Sequence, residues 1–300
     1  MYEITLAAPS AEALPEGLPL WLRPELMAAV SALHGVEGKH LVVYKGEELL
    51  AMLPVYEKKR LGRLGIVSPT GSYYQGMHFF WEQGSTPTRR IMETQEICAS
   101  VAKWLLKHYK HIRINLCTHN TDVRGFTWNG FTAKPLYTFE HKLGEPLKPQ
   151  RDEREKLKRA EKQGYNFGES LDANTFIDMS KAMYDRKSHT SGLDLPGLKD
   201  YIGSLNKAGI LKQFNVLRDV KVVSTNLLLA DEGWAAYTIL RASEPAEMKL
   251  GVSTWHSMKL VESLQGRYRV LDFCGGNVPA VARFKAALGL ELKLFFQIHT

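Results

Sequence analysis

The chain has 300 residues, 44% hydrophobic and 24% charged, with a formal net charge of +7. That length suits one large or two ordinary domains of soluble globular composition, and no apolar run reaches the length of a bilayer span. Residues 1–20 carry Glu3, Glu12 and Glu16 and no basic lead, so no secretory leader is expected. Cys98, Cys117 and Cys274 are the only cysteines. Without a C-x-x-C they offer no disulfide framework, and a reducing, cytoplasmic setting is expected. The positive balance has two readings: a solvated basic surface, or a polyanionic partner such as nucleic acid, a nucleotide-bearing cosubstrate or an anionic membrane. No zinc-finger or RNP signature accompanies it.

Residues 1–20, rich in Ala, Pro and Glu, read as an irregular lead-in. Leu22, Leu26, Ala29, Val30 and Leu33 recur at helical spacing and predict a helix over 21–33. Strands follow at 40–44 and 49–56, joined by a turn at Lys45-Gly46-Glu47. Residues 61–65 carry two glycines amid several positive charges, and residues 68–76 read as a loop holding Pro69, Gly71, Tyr73, Tyr74 and Gln75. Ile97, Val101, Trp104 and Leu105 mark a long amphipathic helix at 90–109, followed by strands at 111–117 and 136–143. Residues 144–149, with two prolines and a glycine, read as a connector.

Beyond it, residues 152–163 predict a charged helix with Asp152–Lys156 and Glu155–Arg159 at supportive spacing. Helices are expected at 174–187 and 198–207, and an antiparallel meander at 211–218, 222–230 and 234–240. A further strand is expected at 249–252 and a helix at 254–264. The chain then closes with Val270, Leu271 and Phe273 as a buried strand and Gly275-Gly276-Asn277 as a turn that tolerates positive φ. Pro279 opens a short helix carrying Val281, Phe284 and Leu288, and Gly289 ends it.

The two halves look alike. Arg124-Gly125-Phe126-Thr127 in the first resembles Ala282-Arg283-Phe284-Lys285 in the second, with Thr127 standing where Lys285 stands. This points to a duplicated unit, against chance likeness between two α/β halves.

Three stretches carry a family resemblance. Leu271-Asp272-Phe273 with Gly275, then Arg283-Phe284-Lys285 and Leu288-Gly289, resembles the closing motif of the FemAB-like branch of the GNAT acyltransferase superfamily, roughly F-D-F-x-G followed by F-K-x-x-F-G. Leu157 to Gly164 is similar to that family's basic helix ending in A-x-K-x-G. Pro69 to Gly76 is a weaker match. The resemblance implies an α/β chain of two tandem GNAT-like domains, 1–145 and 146–300. Each would be a mixed, mostly antiparallel sheet flanked by helices, with a groove between or within them. It implies acyl or aminoacyl transfer to an amine acceptor, with no tightly bound cofactor and with aminoacyl-tRNA or acyl-CoA as co-substrate; its best-known members add amino acids from aminoacyl-tRNA to a peptidoglycan precursor. An acyl-CoA-dependent N-acyltransferase of surface polysaccharide or lipid metabolism and a non-catalytic basic binding protein are the alternatives. The Gly-rich pyrophosphate loop of acetyl-CoA-dependent relatives, Q/R-x-x-G-x-G/A, has no counterpart at Ser253-Thr254-Trp255-His256-Ser257-Met258.

Acyl transfer to an amine passes through an oxyanion, which a fixed cation stabilises. Lys285, beside a glycine turn, suits that role; otherwise it is a solvated helix lysine. Asp272 is a candidate base or donor-holding group, or else caps the turn as an Asx residue. Candidate substrate-binding residues are Phe284, Arg283, Gly275, Asn277, Tyr237, Tyr184, Arg186 and Tyr74. Each also has a plain reading as packed core, exposed loop or basic helix end. His108, His111, Cys117 and His119 cluster in sequence, but their spacing matches no standard zinc site, and no metal is expected.

Overall fold

The computed structural model describes residues 2–10, 15, 17–60, 62–186 and 195–300, apart from the side chains of Arg186, Leu195 and Pro196. In chain order the elements are β1 (Glu3–Ala7), α1 (Pro24–His34), β2 (Glu37–Lys45), β3 (Glu48–Arg60), β4 (Arg63–Val67), β5 (His78–Phe79), α2 (Pro87–His108), β6 (His111–Asn115), α3 (Arg124–Thr127) and β7 (Thr132–Lys142). There follow α4 (Arg151–Ala160), β8 (Tyr165–Glu169), α5 (Ala173–Arg186), α6 (Leu195–Lys207), β9 (Leu211–Arg218), β10 (Lys221–Asp231), β11 (Ala235–Ser243), α7 (Pro245–Leu250), α8 (Val252–Leu264), β12 (Val270–Asp272), α9 (Pro279–Ala287) and β13 (Glu291–His299).

The chain forms two compact units. One is Met1–Leu136 with Leu294–Thr300, the other Tyr137–Lys293. In the first, β1, β2, β3 and β4 pair antiparallel in that order. Helix α2 then carries the chain across to β6, which lies parallel to β4 through Gly65↔His111 and Ile66↔Ile112. In the second, β8, β9, β10 and β11 pair antiparallel. Helix α8 carries the chain across to β12, parallel to β11. The same order of pairings thus recurs in both units, as tandem copies of one mixed, mostly antiparallel α/β design.

The closing strands are exchanged. Residues 297–299 of β13 pair with β6 in the first unit. Residues 140–142 of β7 pair with β12 in the second.

Each unit has its own apolar core. Leu41, Leu53, Ile97, Val101, Leu105, Ile112 and Ile114 anchor the first. Phe139, Phe214, Leu228, Leu260, Leu264, Leu271 and Leu288 anchor the second. At about 25 cal/mol per Å2 of apolar surface removed from water, such clusters supply most of the driving force for each unit.

Several expected elements changed. The lead-in contains β1, whose Glu3-Ile4-Thr5-Leu6 alternation is a strand pattern overlooked beside the Ala, Pro and Glu content. The stretch at 61–65 runs into β4 despite its glycines, because β3 extends to Arg60 and offers a partner through Arg60↔Arg63. The stretch after Gly164 forms β8. The strand expected at 249–252 is instead the end of α7, a left-handed Gly251 and the start of α8; a four-residue run is too short for periodicity to decide. On α4 the observed ion pairs are Glu153–Lys156 and Glu155–Lys158, three residues apart rather than four.

Candidate active site

The second unit holds a loop where a strand pair ends. Strands β11 and β12 pair only through Ala235↔Val270, Ala236↔Leu271 and Tyr237↔Asp272. Beyond that, β11 continues to Ser243 while the other chain turns away at Phe273. Strand β11 also carries an extra residue. Leu240 faces Leu227 and Thr238 faces Leu228, so Ile239 has no partner in the register with β10. Such a bulge bends a strand and re-aims its side chains.

The loop after β12 is held in an uncommon conformation. Cys274 and Gly275 both have positive φ, 47° and 58°. A non-glycine residue there costs on the order of 1–3 kcal/mol and persists only when its surroundings impose it. Asp272 imposes it from one side: its Oδ1 accepts the Cys274 N–H at 2.7 Å and the Thr138 hydroxyl at 2.5 Å. Lys285 on α9 imposes it from the other, donating through Nζ to the carbonyls of Phe273 (2.7 Å), Gly275 (2.8 Å) and Cys274. The Gly276 N–H donates to Tyr137 O at 2.9 Å, and a Cβ on Gly276 would lie 2.7 Å from that oxygen. Asn277 completes the seam, its Oδ1 accepting from Tyr137 N–H and its Nδ2 donating to Tyr137 O.

Lys285 is therefore no solvated helix lysine: it is 9% exposed. Burial lowers its pKa to about 8, and Arg241 adds to the fall while the Asp272 carboxylate opposes it. Burial, helped by Asp272, pushes the Cys274 thiol well above its ordinary value, so it stays protonated. Asp272 is buried as well and serves as the Asx-type cap of the loop.

The structure brings Lys285, Asp272, Gly275 and Asn277 into this one loop. Tyr237, buried, sits opposite Asp272 at the last rung of the β11–β12 ladder. Phe284 packs against the core of this unit, and its neighbour Arg283 is exposed. Tyr184 is half-buried on α5, a helix that packs on β10 and β11, and burial raises its phenol pKa. Arg186 ends that helix, and its side chain lies outside the described residues. Tyr74 lies in the first unit, packed edge-on against Trp21 and Phe295 at 6.2 and 5.3 Å. His108 stacks on Trp104 at 4.0 Å. Among the described residues no group of three or more His, Cys, Asp and Glu is placed to hold a metal ion.

Sequence reasoning missed a second polar group in the same unit. Arg241, on the free part of β11, donates through Nη1 to Ser257 Oγ at 3.0 Å. His256 Nδ1 is 2.8 Å from Ser224 Oγ, which in turn is 2.7 Å from Ser243 Oγ. The available signal was Ser224, Asn226 and Arg241 inside strands that are otherwise largely apolar. The first turn of α8 was also unexpected. Its N-cap, Gly251, has φ 95°, and a Cβ there would lie 2.4 Å from Lys156 O. The buried carboxylate of Glu153 accepts from Thr254 Oγ1 at 2.5 Å. Helix α4 therefore occupies the N-terminus of α8, with a carboxylate where a helix dipole favours negative charge.

No family model matches the chain, and no curated protein does. Solved structures do. FemX matches at 14% identity with a TM-score of 0.66, covering 94% of this chain and 92% of its own. The C-terminal domain of a putative lysylphosphatidylglycerol synthetase from Agrobacterium fabrum matches at 11% identity and TM-score 0.58, over 92% of this chain and 88% of that one. A tandem GNAT protein from the clavulanic acid biosynthesis pathway matches at 9% identity and TM-score 0.55, over 99% and 98%. The chain thus shares its fold, along nearly its whole length, with FemX and with a tandem GNAT protein. Its fold is the FemAB-like form of the GNAT superfamily. No helix among the described residues is long and apolar enough to cross a membrane.

Proposed function

We propose that the protein transfers an aminoacyl or acyl group to an amine, with aminoacyl-tRNA favoured over acyl-CoA as donor. The observation that carries this reading is the loop after β12. A buried lysine on α9 fixes two consecutive left-handed residues where β11 and β12 part, on a fold shared with FemX. In the transfer step the neutral acceptor amine attacks the donor carbonyl directly. The new nitrogen–carbon bond forms as the carbon–oxygen or carbon–sulfur bond to the carrier breaks, the proton lost by the amine passes through solvent water to the departing oxygen or sulfur, and no covalent enzyme intermediate is needed. Lys285 exchanges one of its three loop carbonyls for the developing oxyanion, which competes well because it carries full charge. Asp272 holds the loop that positions Lys285.

The donor preference rests on α8. A pyrophosphate gripped in the usual way needs free N–H groups at a helix N-terminus. Here Glu153 and the Lys156 carbonyl lie against that turn. The exposed Arg151, Lys158, Arg159 and Lys162 around α4 suit a longer polyanion instead.

The reading is tested by incubating the protein with charged tRNA or with acyl-CoAs, plus a panel of amines, and following acylated amine by mass spectrometry. Product from charged tRNA supports it. Product from acyl-CoA alone moves the assignment to the acyl-CoA-dependent N-acyltransferase. Polyanion binding without product from either donor favours the non-catalytic binding protein.

A further inference from the structure

The Arg241 cluster is built like a receptor for an anion. Arg241 and Asn226 face each other across the β10–β11 ladder. Nη1 of Arg241 is committed to Ser257, but Nε and Nη2 are shielded from solvent and have no partner among the described residues. These two nitrogens form one edge of the guanidinium, with two parallel N–H bonds spaced to match the two oxygens of a carboxylate. His256, on the α8 face beside Ser257, is fully buried, and its Nε2 is also unpartnered. Asn226 Oδ1 is the fourth atom of the group without a partner among the described residues. Buried polar atoms without partners are rare, and each calls for an explanation.

Charge leads to the same place. Burial is what lowers the Arg241 pKa, to about 10, so the group is cationic at neutral pH. His256 is held neutral by burial and by the adjacent guanidinium. The titratable groups acting on Lys285 include Arg241, and the acids on that side, Asp272 with its Thr138 and Cys274 bonds, are already engaged. A buried cation without a counter-ion is costly, and an anionic ligand would remove that cost.

We propose that Arg241, His256 and Asn226 form a carboxylate-binding subsite that receives the carboxylate of an amino-acid-type acceptor. The guanidinium edge takes both carboxylate oxygens. When Nδ1 accepts the Ser224 hydroxyl proton, Nε2–H of His256 supplies a further donor. Asn226 Oδ1 accepts from a donor group of the same ligand. The inference deepens the transfer reading by giving its acceptor a second functional group, but the binding it requires does not depend on turnover.

The test measures binding to the full chain by calorimetry and thermal shift, using alanine, propionate, alaninamide and inorganic phosphate as probes. Alanine and propionate are expected to bind and raise the melting temperature by mass action. Alaninamide, matching alanine but lacking the carboxylate, should bind at least about tenfold more weakly. Arg241→Met should abolish the carboxylate response while leaving the melting temperature of the free protein unchanged or higher, since it removes a buried unpaired charge. Alaninamide binding as well as alanine would overturn the proposal, as would phosphate binding as well as propionate, or no binding by either carboxylate. If Arg241→Met does not fold, the wild-type comparison of alanine with alaninamide decides alone. Carboxylate binding without any acyl transfer would retain the subsite and remove the transfer reading. Transfer equally fast to amines with and without a carboxylate would do the reverse.

Discussion

Helix α2 in the first unit buries Ile97, Cys98, Val101, Ala102 and Leu105, while α8 in the second buries Thr254, His256 and Ser257 beside Leu260, Val261 and Leu264. Both helices carry the chain between parallel strands, β4 to β6 and β11 to β12. Beyond β6 the first unit is filled with rings: Trp21, Tyr73, Tyr74 and Phe295 lie against one another. Beyond β12 the second unit has a strained loop, a buried lysine and a guanidinium two of whose nitrogens have no partner among the described residues. Tyr73 of the first unit is also held at positive φ, 59°, and Tyr56 buries a hydroxyl without a partner among the described residues, so the copies differ in degree: the second adds a buried lysine and a guanidinium with two unpartnered nitrogens. Such groups destabilise a fold unless they serve another purpose, and the proposed chemistry is assigned to the second copy on that ground.

The sharpest way to break that contrast is Lys285→Met. Turnover should fall on the order of 10²–10³-fold, the usual cost of losing one oxyanion stabiliser. Three loop carbonyls also lose their donor, so a lower melting temperature is expected too. Single-turnover rates on the folded variant, below its melting temperature, separate the two effects. Unchanged turnover would leave the lysine a purely structural pin.

The converse variant is Leu105→Ala in α2. It should cost about 2–5 kcal/mol of stability through the cavity it leaves. Turnover per folded molecule should stay within about twofold, because the residue lies in the first copy. Denaturant titration with parallel rate measurement checks both, and a large loss of rate at full folding would spoil the division of labour.

A smaller effect follows from pH. Lys285 has a pKa of about 8 folded against an ordinary value of 10.5. If the ammonium is the working form, the rate should fall about tenfold per pH unit above about 8, and Lys285→Met should lack that limb. Stability moves the other way. Between about pH 8 and 10.5 the unfolded chain binds more protons at this group, so stability rises with pH across that window and carries the full burial cost below it. A rate that climbs through pH 8 because of Lys285 would mean the neutral amine acts. The smallest effect belongs to Thr127→Ala, at the position of the first unit that corresponds to Lys285. Its hydroxyl reaches only Arg124 O at 3.5 Å. Stability should change by less than about 0.5 kcal/mol and turnover not at all.

Most of the fold was legible because its signals are local. The spacing of Ile97, Val101 and Leu105 defines α2, and Asp219-Val220-Lys221 and Asp231-Glu232-Gly233 punctuate the meander of β9, β10 and β11. The recurrence of that plan in both halves could be read as well. The details of the site were less accessible, since they depend on partners far apart in the chain. Asp272 finds Thr138 across 134 residues, and His256 finds Ser224 across 32. Lys285 could be singled out by its neighbours in sequence, but its three carbonyl partners become evident only once α9 folds back on the loop. Nor does the sequence around α8 reveal that Glu153, a century of residues earlier, lies against its first turn.

The exchanged closing strands bear on how the molecule is made. Strand β6 has β4 on one side as soon as the first unit is synthesised, but its other partner is residues 297–299. On a ribosome adding about 5–20 residues per second, the outer row of N–H and C=O groups on β6 waits until nearly the whole described chain has emerged. An open strand edge is a template for wrong pairing. The first half therefore depends on late-arriving chain for its completion, and the ordinary order of domain-by-domain folding during translation does not apply to it. A nascent chain stalled before residue 294 would leave its first-half sheet still unclosed.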